Sequence, residues 1–184
     1  MTGMDMHAGY LARARAWASR EGLAVALRQG DIAEPVFAEE FDAVLCLFNS
    51  FGYFADRRQD QRVLDHACAA LRPGGRFLLE AAHRDGVVRT MHVREADAPD
   101  GRCWREEPSF DLVTGVLEAR WTVTSSRGSR TFVSRSRPYS ATGMGDMLRE
   151  AGFHDVRFHG DLAGSAPSLD AYMIVALASR LASA

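Results

Sequence analysis

The strongest constraint on the fold is an alternation of short apolar runs with helical patterns. FDAVLCLF, residues 41–48, carries a single charged side chain, and RFLLEAA follows at residues 76–82. Runs of this length are typical of strands that are buried on both faces of a parallel sheet. Between them, apolar residues recur at helical spacing, namely Val63, Leu64, Ala67, Cys68 and Leu71. The order strand, helix, strand predicts an α/β fold.

The flanking segments extend the same alternation. A helical pattern that contains Leu11, Ala14 and Ala18 ends at Gly22. Asp56 and Ser140 have the positions and chemistry of helix N-caps. The LRPGG segment at 71–75 predicts the end of the second helix, because proline cannot continue it. The further predicted strands cover residues 2–4, 23–27, 153–159 and 172–177.

Residues 103–138 follow a different pattern. Leu117, Ala119, Trp121 and Val123 alternate with polar residues, and glycine-containing turns flank this segment. A period of two predicts antiparallel strands with one apolar face. We therefore expect a single domain over residues 1–184 with an antiparallel insert of three or four strands at 103–138.

Composition excludes several classes of protein. The net charge of −2 gives no basic surface for nucleic acid, and no apolar run is long enough for a membrane span. Three cysteines without a CxxC pair and no export signal predict a cytoplasmic protein. Because the chain contains no lysine, it cannot form a lysine Schiff base. No His/Cys/Asp cluster has metal-ligand spacing, so we predict no metal.

Several stretches, in this order, match a known pattern. The chain resembles the class I S-adenosylmethionine-dependent methyltransferases, in particular small members with a β-rich insert after the fifth strand. That resemblance implies a Rossmann-like sheet that is mostly parallel, with an antiparallel last strand, and S-adenosylmethionine as the cofactor. The stretches that carry it are MTGMDMHAGYLARARA, RQGDI, FDAVLCLFNSFGYF, LRPGGRFLLE, WREE, FDLVTG, REAGF and HGDLAGS.

The resemblance also implies cofactor-binding residues. Asp5 would bind the ribose hydroxyls, and Asp31 would accept a hydrogen bond from the adenine amino group. Met6 and Ile32 would pack on the adenine ring, and the methionine end would be lined by Leu47, Phe48 and Asn49. Simpler readings remain open, because Asp5 suits the start of a helix, and Asp31 and Asn49 are common turn residues.

In this family a first strand and a glycine-rich loop precede the position of Asp5, and this sequence contains neither. The expectation is therefore a methyltransferase sheet that lacks its first strand, in an N-terminally truncated chain. Such a chain would fold poorly or bind cofactor weakly. Its exposed strand edges would favour association with another chain, so an oligomer is one outcome.

The acceptor is expected to be a small molecule held under the insert. His83 follows the fifth strand and is the candidate general base, although a polar loop histidine is the simpler reading. The candidate acceptor contacts are Arg84, Trp104, Arg120 and Tyr139, whereas Trp121 is expected to pack on the apolar face. Two alternative functions stay open: a non-catalytic methyltransferase-like module, and a nicotinamide-dependent oxidoreductase, which the absent GxGxxG motif disfavours.

Overall fold

A computed structural model describes residues 1–34 and 36–182, which form an α/β protein. The elements follow one another along the chain as β1 (Thr2–Asp5), α1 (Ala8–Arg20), β2 (Ala26–Gln29), β3 (Phe41–Cys46), α2 (Arg57–Ala70), β4 (Leu71–Ala82), α3 (Arg84–Thr90), β5 (Arg94–Asp97), β6 (Cys103–Asp111), β7 (Val116–Ser125), β8 (Gly128–Ser136), α4 (Ala141–Glu150), β9 (Phe153–His159) and β10 (Met173–Arg180).

The first unit is a parallel pair of strands joined by a helix. β1 pairs with β2 in parallel, with Asp5 opposite Gln29. The second strand lies later than the predicted residues 23–27. The reason is that Gly22, at φ +66°, and Leu23, which donates its amide to the Ala18 carbonyl at 2.8 Å, still complete the end of α1. The strand therefore begins only at Ala26.

The second unit is a four-stranded sheet of mixed direction in the order β3-β4-β10-β9. β3 is parallel to β4, and the last strand, β10, runs antiparallel to both of its neighbours. The prediction that residues 41–48 form a strand buried on both faces is wrong. β3 is an edge strand in the described structure, it ends at Cys46, and Leu45 is 62% exposed.

The core of this sheet lies under α2 and α4. Met144, Met147 and Leu148 of α4 are fully buried, and the Phe77 and Phe153 rings stack 5.0 Å apart. Both predicted N-caps are confirmed. Asp56 accepts a hydrogen bond from Arg58 N at 2.9 Å, and Ser140 accepts one from Gly143 N at 3.0 Å. The described helices are all too short or too polar to span a membrane.

The insert is a four-stranded antiparallel sheet in the order β5-β6-β7-β8. It begins at Arg94, earlier than the predicted residue 103, because the charged segment READ forms β5 by pairing with β6. α3, which precedes β5, has no predicted counterpart. β1–β2 and the β3-β4-β10-β9 sheet share no strand pairing within the described residues. The expected absence of a first strand concerns residues outside this sequence and stays a prediction.

Candidate active site

Two aspartates lie at the carboxyl ends of the adjacent parallel strands β1 and β2. Asp5 is the last residue of β1, and Asp31 follows β2 by two residues. The two strand ends are joined directly, because Gly30 N donates to the Asp5 carbonyl at 3.2 Å and Gln29 Nε2 donates to the Met6 carbonyl at 3.0 Å. The structure therefore brings the loops of Asp5 and Asp31 together.

Each of these carboxylates has one oxygen engaged in its own loop. Asp5 Oδ1 accepts from His7 N at 2.7 Å, and Asp31 Oδ1 accepts from Ala33 N at 2.8 Å. No donor among residues 1–34 and 36–182 reaches either Oδ2, and both residues are partly exposed. In each aspartate, Oδ1 stabilises the loop and Oδ2 is left for a ligand. The local structural role and the ligand role that the sequence suggests are therefore compatible.

The two apolar residues beside these aspartates differ in environment. Met6 is 64% exposed and free to contact a ligand. Ile32 is half-buried and packs against the core of the four-stranded sheet. Both follow an aspartate directly, so they lie beside the same strand ends.

The loop after β3 has an unusual backbone. Phe48 and Asn49 have φ angles of +56° and +57°, which non-glycine residues adopt at a cost of about 1 kcal/mol or more. Glu80 of β4 holds this loop, because its Oε2 accepts from Phe48 N at 2.9 Å and its carbonyl accepts from Asn49 N at 3.3 Å. Leu47 precedes this turn and is half-buried.

Asn49 also links the loop to the end of β4 through its side chain. Its Oδ1 accepts from Ala82 N at 2.8 Å, and its Nδ2 donates to the Tyr53 hydroxyl at 3.1 Å. Asn49 is thus a turn residue that fixes the loop, and this loop lies at the carboxyl end of a parallel strand. Ligands of open α/β sheets bind at such strand ends.

His83 is buried and caps α3. Its Nδ1 accepts from Gly86 N at 3.4 Å, and no described residue bonds Nε2. A neutral ring with an accepting Nδ1 carries its proton on Nε2, so it presents a donor rather than a free lone pair. This geometry supports helix capping. The general-base role of His83 stays a prediction that the geometry does not support.

The backbones of Arg84 and Tyr139 lie together, because Arg84 N donates to the Tyr139 carbonyl at 2.9 Å, but the side chains of the four candidate acceptor contacts do not share one face. Register places Trp104 and Arg120 on opposite faces of the insert, because Trp104 pairs with Val123 whereas Arg120 pairs with Glu107. Arg84 forms an exposed ion pair with Asp85 at 2.8 Å. Tyr139 is buried, and its hydroxyl donates to Asp60 at 2.7 Å.

The face of the insert that carries Trp104 also carries a nearly buried acid, Glu106, opposite Trp121. The Trp104 and Trp121 rings lie 5.8 Å apart, and Trp121 Nε1 donates to Ser134, so Trp121 does pack on this face as expected. Glu106 lies 3.8 Å from Arg94. Both border a small cavity between the insert and α3 whose other lining residues are Val87, Met91, Pro108, Leu117 and Tyr172.

Three of the polar residues described above are absent from the sequence-based set, namely Asp60, Glu80 and Glu106. A signal existed for Asp60, because an acid at the start of the apolar stripe of α2 departs from the helical pattern. Glu80 likewise interrupts the apolar run RFLLEAA, whereas no such signal marks Glu106. Within the described ranges, no group of three or more His, Cys, Asp or Glu residues is placed to hold a metal ion.

Comparisons with known proteins show what the chain and its fold are similar to. The family model described as "Methyltransferase domain" matches residues 1–75. Glycine N-methyltransferase of Rattus norvegicus is 31% identical over 83 residues, which cover 42% of this chain but only 27% of that protein's length. The match thus spans about a quarter of the curated relative.

Solved structures extend the similarity to nearly the whole chain. The CcbJ methyltransferase from Streptomyces caelestis superposes with a TM-score of 0.85 at 21% identity, covering 99% of this chain and 74% of that one. SAM-bound CalS10, an amino pentose methyltransferase from Micromonospora echinaspora, gives 0.68 at 20% identity, covering 97% and 73%. The resemblance predicted from the sequence is confirmed: the chain has the class I methyltransferase fold, and its first 75 residues match the methyltransferase-domain family.

Proposed function

We propose that this protein transfers a methyl group from S-adenosylmethionine to a small-molecule acceptor. The observation that carries the proposal is the pair Asp5 and Asp31 at adjoining strand ends, each with one carboxylate oxygen that no described residue bonds. The family match over residues 1–75 and the fold of the solved methyltransferases support the cofactor.

The residues present fit a nucleoside. Ribose hydroxyls and an adenine amino group are hydrogen-bond donors, and carboxylates accept such bonds. The exposed side chain of Met6 can cover one face of the adenine ring. The Phe48–Asn49 turn, held by Glu80, can position the methionine end.

When bound, S-adenosylmethionine supplies an electrophilic methyl carbon that is already activated by its sulfonium. The chain then has to align an acceptor with that carbon and exclude water. The packing of Leu117 of the insert against Ala82 at the end of β4 supports a role of the insert in both tasks. A general base is required only for an acceptor that arrives protonated.

We further propose that the acceptor carries an amine. The names of two matched proteins, a glycine N-methyltransferase and an amino pentose methyltransferase, favour a nitrogen acceptor. Glu106 supports this choice, because this nearly buried carboxylate lies on the same insert face as Trp104 and Trp121. Arg94 lies 3.8 Å away, and no described residue donates a hydrogen bond to the carboxylate, so it can accept an N–H bond from an amine.

Methyl-labelled S-adenosylmethionine, incubated with a panel of small amines, tests the proposal. We expect labelled product from at least one amine and about a tenfold rise in KM for that amine in Glu106→Gln. Glu107→Gln is the matched control, because Glu107 is the next residue of β6 and faces the other way, towards Arg105 at 3.2 Å. Label transfer to no amine would contradict the amine proposal, and equal effects of the two variants would remove Glu106 from it.

The alternatives are tested with the same protein. Binding of a nicotinamide dinucleotide in preference to S-adenosylmethionine would favour an oxidoreductase. Binding of neither nucleotide would favour a non-catalytic module.

A further inference from the structure

The insert is connected to the α/β sheet by two chain segments that lie side by side. The chain leaves β4 at His83 and returns after β8 through Arg137, Pro138 and Tyr139. His83 and Tyr139 pair as a parallel bridge, and Arg84 N donates to the Tyr139 carbonyl at 2.9 Å. We call residues 83–84 and 137–139 the neck. The orientation of the insert depends on how the neck is held.

Asp60 of α2 contacts the neck from the core. Its side chain is 0% exposed, its Oδ2 accepts from the Tyr139 hydroxyl at 2.7 Å, and an Arg137 guanidinium nitrogen lies 4.0 Å from the same oxygen. The residues that follow on this face of α2, Val63 and Leu64, are buried and apolar. A carboxylate is a costly residue in such a place, and burial raises its pKa. An apolar side chain would fill the position without that cost, so stability alone does not explain Asp60.

The neck also contacts the loop that follows β3. Arg137 N donates to the Gly52 carbonyl at 2.6 Å. A Cβ atom on Gly52 would lie 2.5 Å from the Arg137 carbonyl oxygen, and Gly52 has a φ of +88°, so this approach requires glycine. The same loop contains Asn49 and Tyr53, which bond to each other. One contiguous set of contacts therefore joins α2, the neck and the loop that holds Asn49.

We propose that Asp60, Tyr139 and Arg137 form a positioning cluster that fixes the insert relative to the Asn49 loop. All three are positioning residues, because they act through the neck. Their effect on methyl transfer rests on the proposed function: an acceptor held under the insert stays aligned with the methyl carbon only while the neck keeps its place. This role explains why a buried acid and its tyrosine partner occupy a site where apolar residues would pack.

Two variants separate positioning from simple stabilisation. Tyr139→Phe removes only the hydroxyl and leaves the Asp60 carboxylate without that donor, which lowers stability. The double variant Asp60→Leu/Tyr139→Phe replaces the hydrogen-bonded pair with apolar groups, and such replacements are often neutral or stabilising. It also removes the charge that faces Arg137, which keeps its contact with the Ala55 carbonyl at 3.5 Å. We expect the stability to fall in the single variant and to recover in part in the double variant.

Amide hydrogen exchange, measured by NMR without cofactor, reports the neck directly. The amides of Arg137 and Arg84 should exchange about tenfold faster in both variants, because each variant removes the hydrogen bond between Tyr139 and Asp60, and the double variant also removes the contact of Asp60 with Arg137. Amides of the β6–β7 ladder are the internal reference and should be unchanged. Unchanged neck exchange in Tyr139→Phe, or recovery of both stability and neck protection in the double variant, would overturn the proposal.

The rate of methyl transfer is measured with the methyl-labelled cofactor. The double variant should bind S-adenosylmethionine with the Kd of the wild type and transfer methyl groups about tenfold more slowly. An unchanged transfer rate together with faster neck exchange would remove the cluster from catalysis. A wild-type chain that neither binds S-adenosylmethionine nor transfers a methyl group would contradict the proposed function, while the exchange experiment would still decide whether the cluster holds the neck.

Discussion

Asn49 shows at the scale of one residue how strain and hydrogen bonding combine in the candidate site. Its backbone is left-handed, and its side chain bonds Ala82 N on one side and the Tyr53 hydroxyl on the other. Asparagine tolerates this backbone better than most residues, and glycine tolerates it without strain. The two contributions can therefore be separated by substitution.

We predict that Asn49→Ala lowers the free energy of unfolding by about 2–4 kcal/mol, since it loses both bonds and adds backbone strain. Asn49→Gly loses the same bonds but relieves the strain, so it should cost about 1 kcal/mol less. Urea unfolding of the three proteins measures both values. Equal stability of the two variants would show that strain at this turn is negligible.

The buried Asp60 carboxyl group makes the free energy of unfolding depend on pH. Burial raises its folded-state pKa, outweighing the hydrogen bond from Tyr139 and the charge of Arg137. The protonated form is therefore favoured in the folded state, and its contribution to stability is lost as the pH rises through the raised pKa. Asp60→Asn does not titrate, so its stability relative to the wild type should increase as the pH rises above about 3.9, the usual pKa of an aspartate in an unfolded chain.

Asp161→Asn is the control, because the pKa of Asp161 is shifted in the opposite direction to that of Asp60. Hydrogen bonds from Ser165 and neighbouring amides lower the pKa of Asp161, so its contribution is present at neutral pH and lost as the pH falls through the lowered value. The stability of Asp161→Asn relative to the wild type should therefore rise only as the pH falls below about 4. Urea unfolding across the pH range measures the stability of both variants relative to the wild type. If both relative stabilities changed with pH in the same direction, the raised pKa of Asp60 would be refuted.

The sequence locates some site residues and misses others for a physical reason. Asp5 and Asp31 follow strands directly, so local pattern alone places them at strand ends. Glu80 and Glu106 acquire their roles from partners far away in the chain, Phe48 and Arg94 respectively. His83 and Tyr139 appeared as polar residues near the site, but the fold buries both, one as the α3 cap and one as the partner of Asp60.

At the scale of elements, tertiary packing determines the secondary structure of segments whose local sequence pattern is weak. β9 covers the predicted residues 153–159, because Gly152, with a φ of +94°, ends α4 and the strand begins directly after it. α3, with sequence RDGVVRT, has no helical apolar pattern and depends on its contacts. A Cβ atom on Gly86 of α3 would lie 1.9 Å from the Ala171 carbonyl oxygen, so this helix packs directly on the backbone before β10.

Gly86→Ala should therefore lower the free energy of unfolding by about 2–3 kcal/mol through overpacking. The matched control is Gly143→Ala in α4, where the nearest atom to a new Cβ is the Ser140 hydroxyl at 3.2 Å. Alanine is the better helix former, so the control should stay within about 1 kcal/mol of the wild type. A Gly86→Ala protein as stable as the control would show that α3 can move away from Ala171.

At the scale of the whole molecule, the candidate site spans two units that share no strand pairing in the described part of the chain. The chain segment between β2 and β3 contacts both units. Its Ala33 is buried in the core of the four-stranded sheet, and its Phe37 ring centre lies 5.4 Å from the Arg28 guanidinium of β2. A ligand that contacts Asp5, Asp31 and the Asn49 loop would link both units.

We therefore predict that S-adenosylmethionine slows amide exchange in the loops after β1, β2 and β3 together. Exchange in the outer turn of the insert, residues 126–127, should stay unchanged and provides the reference. Protection confined to one of the three loops would contradict a site shared between the units.

The most direct test of the central claim is calorimetric titration of the full chain with S-adenosylmethionine, for the wild type, Asp31→Ala and Asp161→Ala. Both aspartates accept hydrogen bonds from their own loops, but only Asp31 lies at the end of a parallel strand beside Asp5. The account predicts saturable binding by the wild type and Asp161→Ala, and a Kd at least about tenfold higher for Asp31→Ala. Equal Kd values for the two variants, or no binding by the wild type, would contradict it.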